Sequence, residues 1–208
     1  MAINYDIQAQ IVDIKVDSPC AEDVFLVDTN VWYWHTYTNA DVSASPYQID
    51  NYPEYLFKAI SANSILTYTG LSLSELSHLI EQTERNLFIE SRSLDPKIFK
   101  PKEYRHNYPI EREKVIQEIE TAWSQVTSIA APLDVIIDEK VSNAALSRLK
   151  SQALDGYDLF MLEAMKKEDI TQVITDDGDF ITVPGIMVFT ANNNVIRMAK
   201  AQGKLVRR

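Results

Sequence analysis

Five short apolar runs, mostly β-branched, constrain this chain more than any other feature. They lie at 24–27, 65–68, 135–137, 173–175 and 186–189, and none is long enough to be a helix. Continuous apolar runs of this length, flanked by polar residues, are predicted to be strands buried on both faces of a sheet. The segments between them have helical character. A short helix is expected over 31–35, capped by Thr29 or Asn30, and another over 54–61. A helix starting at Ser72 or Ser74 would set Leu73, Leu76, Leu79 and Ile80 on one face. Further helices are expected over 110–126, over 139–153, from Asp158 onward, and from an Asn192 cap through Ala201 to Gly203. Strands alternating with helices define an α/β protein with a mainly parallel central sheet.

Two stretches interrupt that alternation. Residues 36–53 are rich in turn formers, and with the short helix after them they form an insertion near 36–63. Residues 91–110 contain Pro96, Pro101 and Pro109 and are predicted to be mostly loop, within a second insertion near 85–110. Residues 1–23 form a polar leader in which Ile7, Ala9 and Ile11 alternate, the mark of one extra edge strand. Residues 24–208 then make a single domain.

Composition narrows the function. No apolar run approaches the length of a membrane span, and the N-terminal stretch lacks the basic and apolar regions of a secretory signal. A cytoplasmic chain is expected. The lone Cys20 leaves no internal disulfide and no cysteine-built zinc cage. The net charge of −10 weighs against a large nucleic-acid footprint, since phosphate contacts rest on Lys and Arg. Carboxylates gathered around bound cations would soften that objection.

Four acids carry the functional reading. Asp28 and Asp177 each stand just past a predicted strand, where parallel sheets form their binding sites. Glu75 and Asp158 stand at or near helix starts after loops, which can bring them to the same rim. Singly, each has a plainer role: a cap, a helix acid placed by the macrodipole, or a turn residue. Together they suit hard cations such as Mg²⁺ or Mn²⁺, which prefer oxygen ligands.

These four segments resemble the motifs of PIN domains. The VDTNV stretch at 27–31 is similar to the opening strand and first acid, with Asn30 as its polar companion. SLSEL at 72–76 resembles the second motif, and GYDLFMLEAM at 156–165 the third. ITDDGDF at 174–180 resembles the fourth, mapping onto Thr175, Asp177, Asp179 and Phe180; Gly178 departs from the basic or polar residue common there. The resemblance spans about residues 24 to 190 and implies a three-layer α/β/α sandwich of the toxin-like, VapC-type kind with insertions. It also implies metal-dependent endoribonuclease activity leaving a 3′-hydroxyl and a 5′-phosphate. In this reading Asp28, Asp158 and Asp177 hold Mg²⁺ or Mn²⁺, and Glu75 completes the set or orients the attacking water. Thr29, Asn30, Thr175 and Asp179 would support ligands or phosphate. An antitoxin protein and a homodimer are the partners such a resemblance brings with it.

The segment at 97–109 interleaves Lys100, Lys102 and Arg105 with Phe99, Tyr104 and Tyr108, a pattern suited to single-stranded or structured RNA. A solvated loop with rings packed on the domain explains the same residues more simply. Trp32 and Trp34 are expected in packing, and His106 is a poor general base. A dehalogenase-type phosphatase would need an acid where Asn30 stands, and a receiver domain would need an acidic pair where Val27-Asp28 stands. The main alternative is a catalytically silent PIN fold acting as a nucleic-acid-binding or protein-interaction module.

Overall fold

Four of the five apolar runs become strands, and the alternation becomes one sheet. A computed structural model describes residues 6–154 and 156–208. In chain order the strands are β1 (Gln10–Asp13), β2 (Val24–Val27), β3 (Ile65–Thr69), β4 (Ala131–Leu133), β5 (Gln172–Ile174), β6 (Met187–Thr190) and β7 (Leu205–Val206). The helices are α1 (Thr29–Thr36), α2 (Pro46–Ser61), α3 (Gly70–Ser91), α4 (Pro101–Asn107), α5 (Pro109–Ile129), α6 (Glu139–Leu149), α7 (Asp158–Lys167) and α8 (Asn193–Ala201). The sheet has seven strands in the order β4-β3-β2-β5-β6-β1-β7, and every pairing is parallel.

Side chains alternate across this sheet as strand geometry requires. Phe25, Val27, Ile174 and Phe189 pack toward α1, α2, α3 and α5. Leu26, Val173 and Val188 face the opposite way, toward α6, α7 and α8. Both faces are therefore covered, which is the three-layer α/β/α sandwich and the reason the central strands are apolar throughout. Trp32 is fully buried and Trp34 rests on Tyr52 at 5.1 Å, so both rings serve packing. Among the described residues no helix is long and apolar enough to cross a membrane.

Several local expectations are corrected. Residues 135–137 are not a strand; Ile136 and Ile137 are largely exposed, and the strand lies earlier, at β4. β4 is an edge with a neighbour on one side only, so it tolerates Pro132 and needs no continuous apolar run. The alternating Ile7, Ala9 and Ile11 are buried and do lead into a strand, but β1 pairs with both β6 and β7 and so is not the edge. Residues 1–5 of the leader fall outside the described residues.

The two insertions are more helical than their prolines imply. α2 starts at Pro46, with a capping box in which Gln48 reaches back to the Ser45 amide (2.8 Å), and it continues through Pro53. The segment expected as loop contains α4, and α5 begins at Pro109. Proline fits the first turn of a helix, where its missing N–H has no partner to lose.

Candidate functional site

The strand order locates the site. From β2 the chain moves outward to β3 and β4, then returns to the other side of β2 as β5 and β6. The order therefore reverses between β2 and β5, and ligands bind parallel sheets at the carboxyl ends beside such a switch. Asp28 follows the last residue of β2, and its amide donates to the Ile174 carbonyl of β5 (3.0 Å). Asp177 stands three residues beyond the end of β5.

Thr175 joins these two acids. Its hydroxyl donates to Asp28 Oδ2 (2.6 Å) and accepts from the Asp177 amide (2.8 Å). Asp177 Oδ1 in turn accepts from the Asp179 amide (2.8 Å), which closes the turn. Asp28 is also the N-cap residue of α1, a place expected for Thr29 or Asn30, but its side chain makes no cap bond. Its main-chain carbonyl takes the first helical amides, from Val31 and Trp32, so the carboxylate faces the cleft instead. Thr29 turns its hydroxyl to Glu75 Oε2 (2.7 Å), linking α1 to α3. At the start of α7, the Tyr157 hydroxyl approaches Ser74 of α3 at 3.4 Å, beside Asp158.

All four predicted acids, with Thr29 and Asn30, line one cleft of about 920 Å³. Asp28 is the most deeply buried of the four. Burial pushes its carboxyl up to about 7, with the neighbouring charges of Asp177 and Glu75 adding to the rise; the Thr175 hydroxyl and the Thr29 amide oppose it. A carboxylate in this position favours either a proton or a cation nearby.

The chemistry of the donor set fits a hard divalent ion, because the groups are oxygens and Mg²⁺ uses only one or two carboxylates directly. Among the described residues, however, no three carboxylate, imidazole or thiol groups converge as the ligands of a single ion. Thr175 ties the Asp28 carboxylate to the main chain of Asp177, so these two acids are held on neighbouring strand ends of the cleft.

No family model matches the chain, and no curated protein matches it.

The basic candidates separate. Arg105 lines the cleft, whereas Lys100 and Lys102 are exposed outside its lining. The rings proposed for base stacking are not available: Phe99 and Tyr104 are buried with Phe88 between α3, α4 and α5, and Tyr108 is half-buried against them.

Three features escaped the sequence reading. Asp176 accepts hydrogen bonds from the Tyr47 hydroxyl (2.7 Å), Gln48 Nε2 (2.7 Å) and the Tyr52 hydroxyl (2.6 Å), which fastens the Asp177 turn to α2. Glu81 binds both Arg105 and Arg112 within the cleft. Tyr157 stands 40% exposed at its lip. The DD pair at 176–177 was a signal for the first; the side-chain partners of the other two lie too far along the chain for any local pattern to mark.

Proposed function

We propose that this chain is a metal-dependent endoribonuclease of the PIN type, hydrolysing RNA phosphodiester bonds in this cleft. One observation carries the reading: four acids from β2, α3, α7 and the turn after β5 share a cleft at the sheet's switch point, with Asp28 and Asp177 fastened to one threonine. Asp28, Asp177 and Asp158 would hold Mg²⁺ or Mn²⁺. The bound ion supplies Lewis-acid polarisation of the phosphoryl oxygen and lowers the pKa of water. Glu75, oriented by Thr29, positions the attacking water. Thr175 keeps Asp28 and Asp177 in register, and Asp179 braces Asp177 through its amide. The N-termini of α1 and α7 open on the cleft and favour an anionic substrate there.

A cytoplasmic location goes with this reading, as do an antitoxin protein and a homodimer as partners to test by co-expression and sizing. The silent binding module stays as the second reading, because among the described residues no three donors converge on one point.

The experiment is cleavage of a mixed single-stranded RNA pool with Mn²⁺ or Mg²⁺ by the native chain and by Asp28→Asn. Metal-dependent cutting that vanishes in the variant supports the nuclease. A folded native chain that binds no divalent ion by calorimetry and cuts nothing supports the silent module.

A further inference from the structure

Six carboxylates and two guanidinium groups line the cleft, and both guanidiniums are held by one acid. Glu81 of α3 accepts from Arg105 Nε of α4 at both carboxylate oxygens (2.9 Å each) and from Arg112 Nη1 of α5 (2.8 Å). The acid is covered and the cations are not: side-chain exposure is 12% for Glu81 against 40% for Arg105 and 36% for Arg112. The cluster carries a net charge of +1, and among the described residues no hydrogen bond occupies Arg112 Nε or Nη2.

The cluster ties three helices together, yet that task leaves much of each guanidinium open to the cleft. Two partly open guanidiniums on one buried acid also form a preorganised anion site, since their planar N–H groups match phosphate oxygens. Glu81 lies six residues beyond Glu75 on α3, about 9 Å along the helix, or two to three nucleotides at the ~3.4 Å rise of a stacked strand. The wall between is the face of α5 that carries Ile116, Ile119 and Trp123, with Glu120 on its flank. Trp123 is fixed edge-on to Tyr68 at 5.0 Å. An apolar wall with a rigid indole suits bases better than it suits an acidic peptide. The cleft volume lies within the ~300–1,000 Å³ range of small-ligand pockets, room for a short single strand and not for a duplex.

We propose that Arg105 and Arg112, clasped by Glu81, form a phosphate-binding station for the backbone of a single-stranded nucleic acid running along the cleft from the acidic end. This deepens the nuclease reading by naming how its substrate is held. The station itself works without a divalent ion, so the two ideas fail separately.

The test is fluorescence anisotropy with a labelled single-stranded oligoribonucleotide in EDTA, over a series of salt concentrations. Arg105→Gln and Arg112→Gln should each weaken binding about tenfold, the loss of one charge-assisted contact. Each should also reduce the slope of log K against log salt by about 0.7. Arg105→Lys and Arg112→Lys keep the charge and should keep the slope. Lys58→Gln, on the exposed side of α2, should change neither quantity. Circular dichroism confirms that each variant is folded. Folded Gln variants with native affinity and slope would leave the cluster as a helix staple and overturn the proposal. So would tighter binding of a polyglutamate peptide than of the oligonucleotide, or no binding by the native chain. Arginine-dependent binding by a chain that never cuts RNA would uphold the station and sink the nuclease. Cutting that ignores both arginines would do the reverse.

Discussion

Replacing Asp28 with Asn should stabilise the ion-free chain above neutral pH, although it removes the first proposed ion ligand. Burial is the main cause of the raised carboxyl, which moves from 3.8 to about 7, and the charges of Asp177 and Glu75 add to it. Between those two pH values the folded chain holds a proton that the unfolded chain has released. Stability therefore falls as pH rises through this window, and the penalty is complete above about 7. At about 1.4 kcal/mol for each pH unit, the penalty is on the order of 4 kcal/mol. An amide side chain in this place carries no such charge and can still accept from the Thr175 hydroxyl. For a chain of this size the gain corresponds to a rise in Tm on the order of 10 °C.

The assay is thermal unfolding of both proteins in EDTA from about pH 4 to about pH 8, which spans the titration window. The native Tm should fall relative to that of Asp28→Asn as pH rises, with the two converging at the acidic end. Mg²⁺ or Mn²⁺ should then narrow the gap at neutral pH. At a hundredfold excess over Kd the native chain gains about 2.7 kcal/mol, and the variant gains less. Unfolding curves that run parallel across the whole range in EDTA would refute the reasoning, since Asp28 would then carry no electrostatic cost of folding.

Three further outcomes follow from single contacts. Tyr52→Phe removes one of the three donors to Asp176 and the acceptor of the Ala191 amide (3.0 Å), so it should cost about 1–3 kcal/mol in urea unfolding and lower RNA turnover. Native turnover in that variant would deny Asp176 its role in steadying the Asp177 turn. Arg208→Ala strands Asp17 and Asp23, both buried, and should cost about 3 kcal/mol. Burial works to raise Asp23, but hydrogen bonds from Arg208, the Cys20 amide and Gln172 hold it below 3.8. The stability from that pair is present above 3.8 and lost as pH falls through the folded value, so the Arg208→Ala deficit should shrink in acid. Phe180→Ala empties a fully buried site in the α7 and α8 layer and should cost about 3–5 kcal/mol by denaturant titration.

How much was legible in the sequence depended on whether an element's role was local. β2, β5 and β6 are buried on both faces, so their apolar runs marked them, and after β2 and β5 they marked the acids that follow. α8 was equally plain, because Asn192 accepts from Asn194 and Val195 at its start and Gly203 takes a positive φ of 68° at its end. β4 was misplaced because an edge strand lacks that apolar signature, while Val135-Ile136-Ile137 imitates it on the surface. Prolines misled at α2 and α4, since a helix accepts proline in its first turn and the sequence alone does not reveal where that turn lies. Side-chain partnerships such as Tyr52 with Asp176 span more than a hundred residues and leave no periodic trace.

The two insertions bear on the site more directly than their position in the chain implies. The first supplies α2, whose Tyr47, Gln48 and Tyr52 converge on Asp176 and fix the turn that carries Asp177. The second supplies α4 and, with α5, the Arg105 and Arg112 that Glu81 holds within the cleft. A carboxylate turn with no such buttress would open under the repulsion among Asp28, Asp177 and Glu75, which adds to burial in raising Asp28. The buttress is built from neutral donors: Thr175 for Asp28, and two tyrosines and a glutamine for Asp176. Hydroxyl and amide donors orient a carboxylate without cancelling its charge. That leaves the charge available to a cation, which a lysine or arginine in the same places would not.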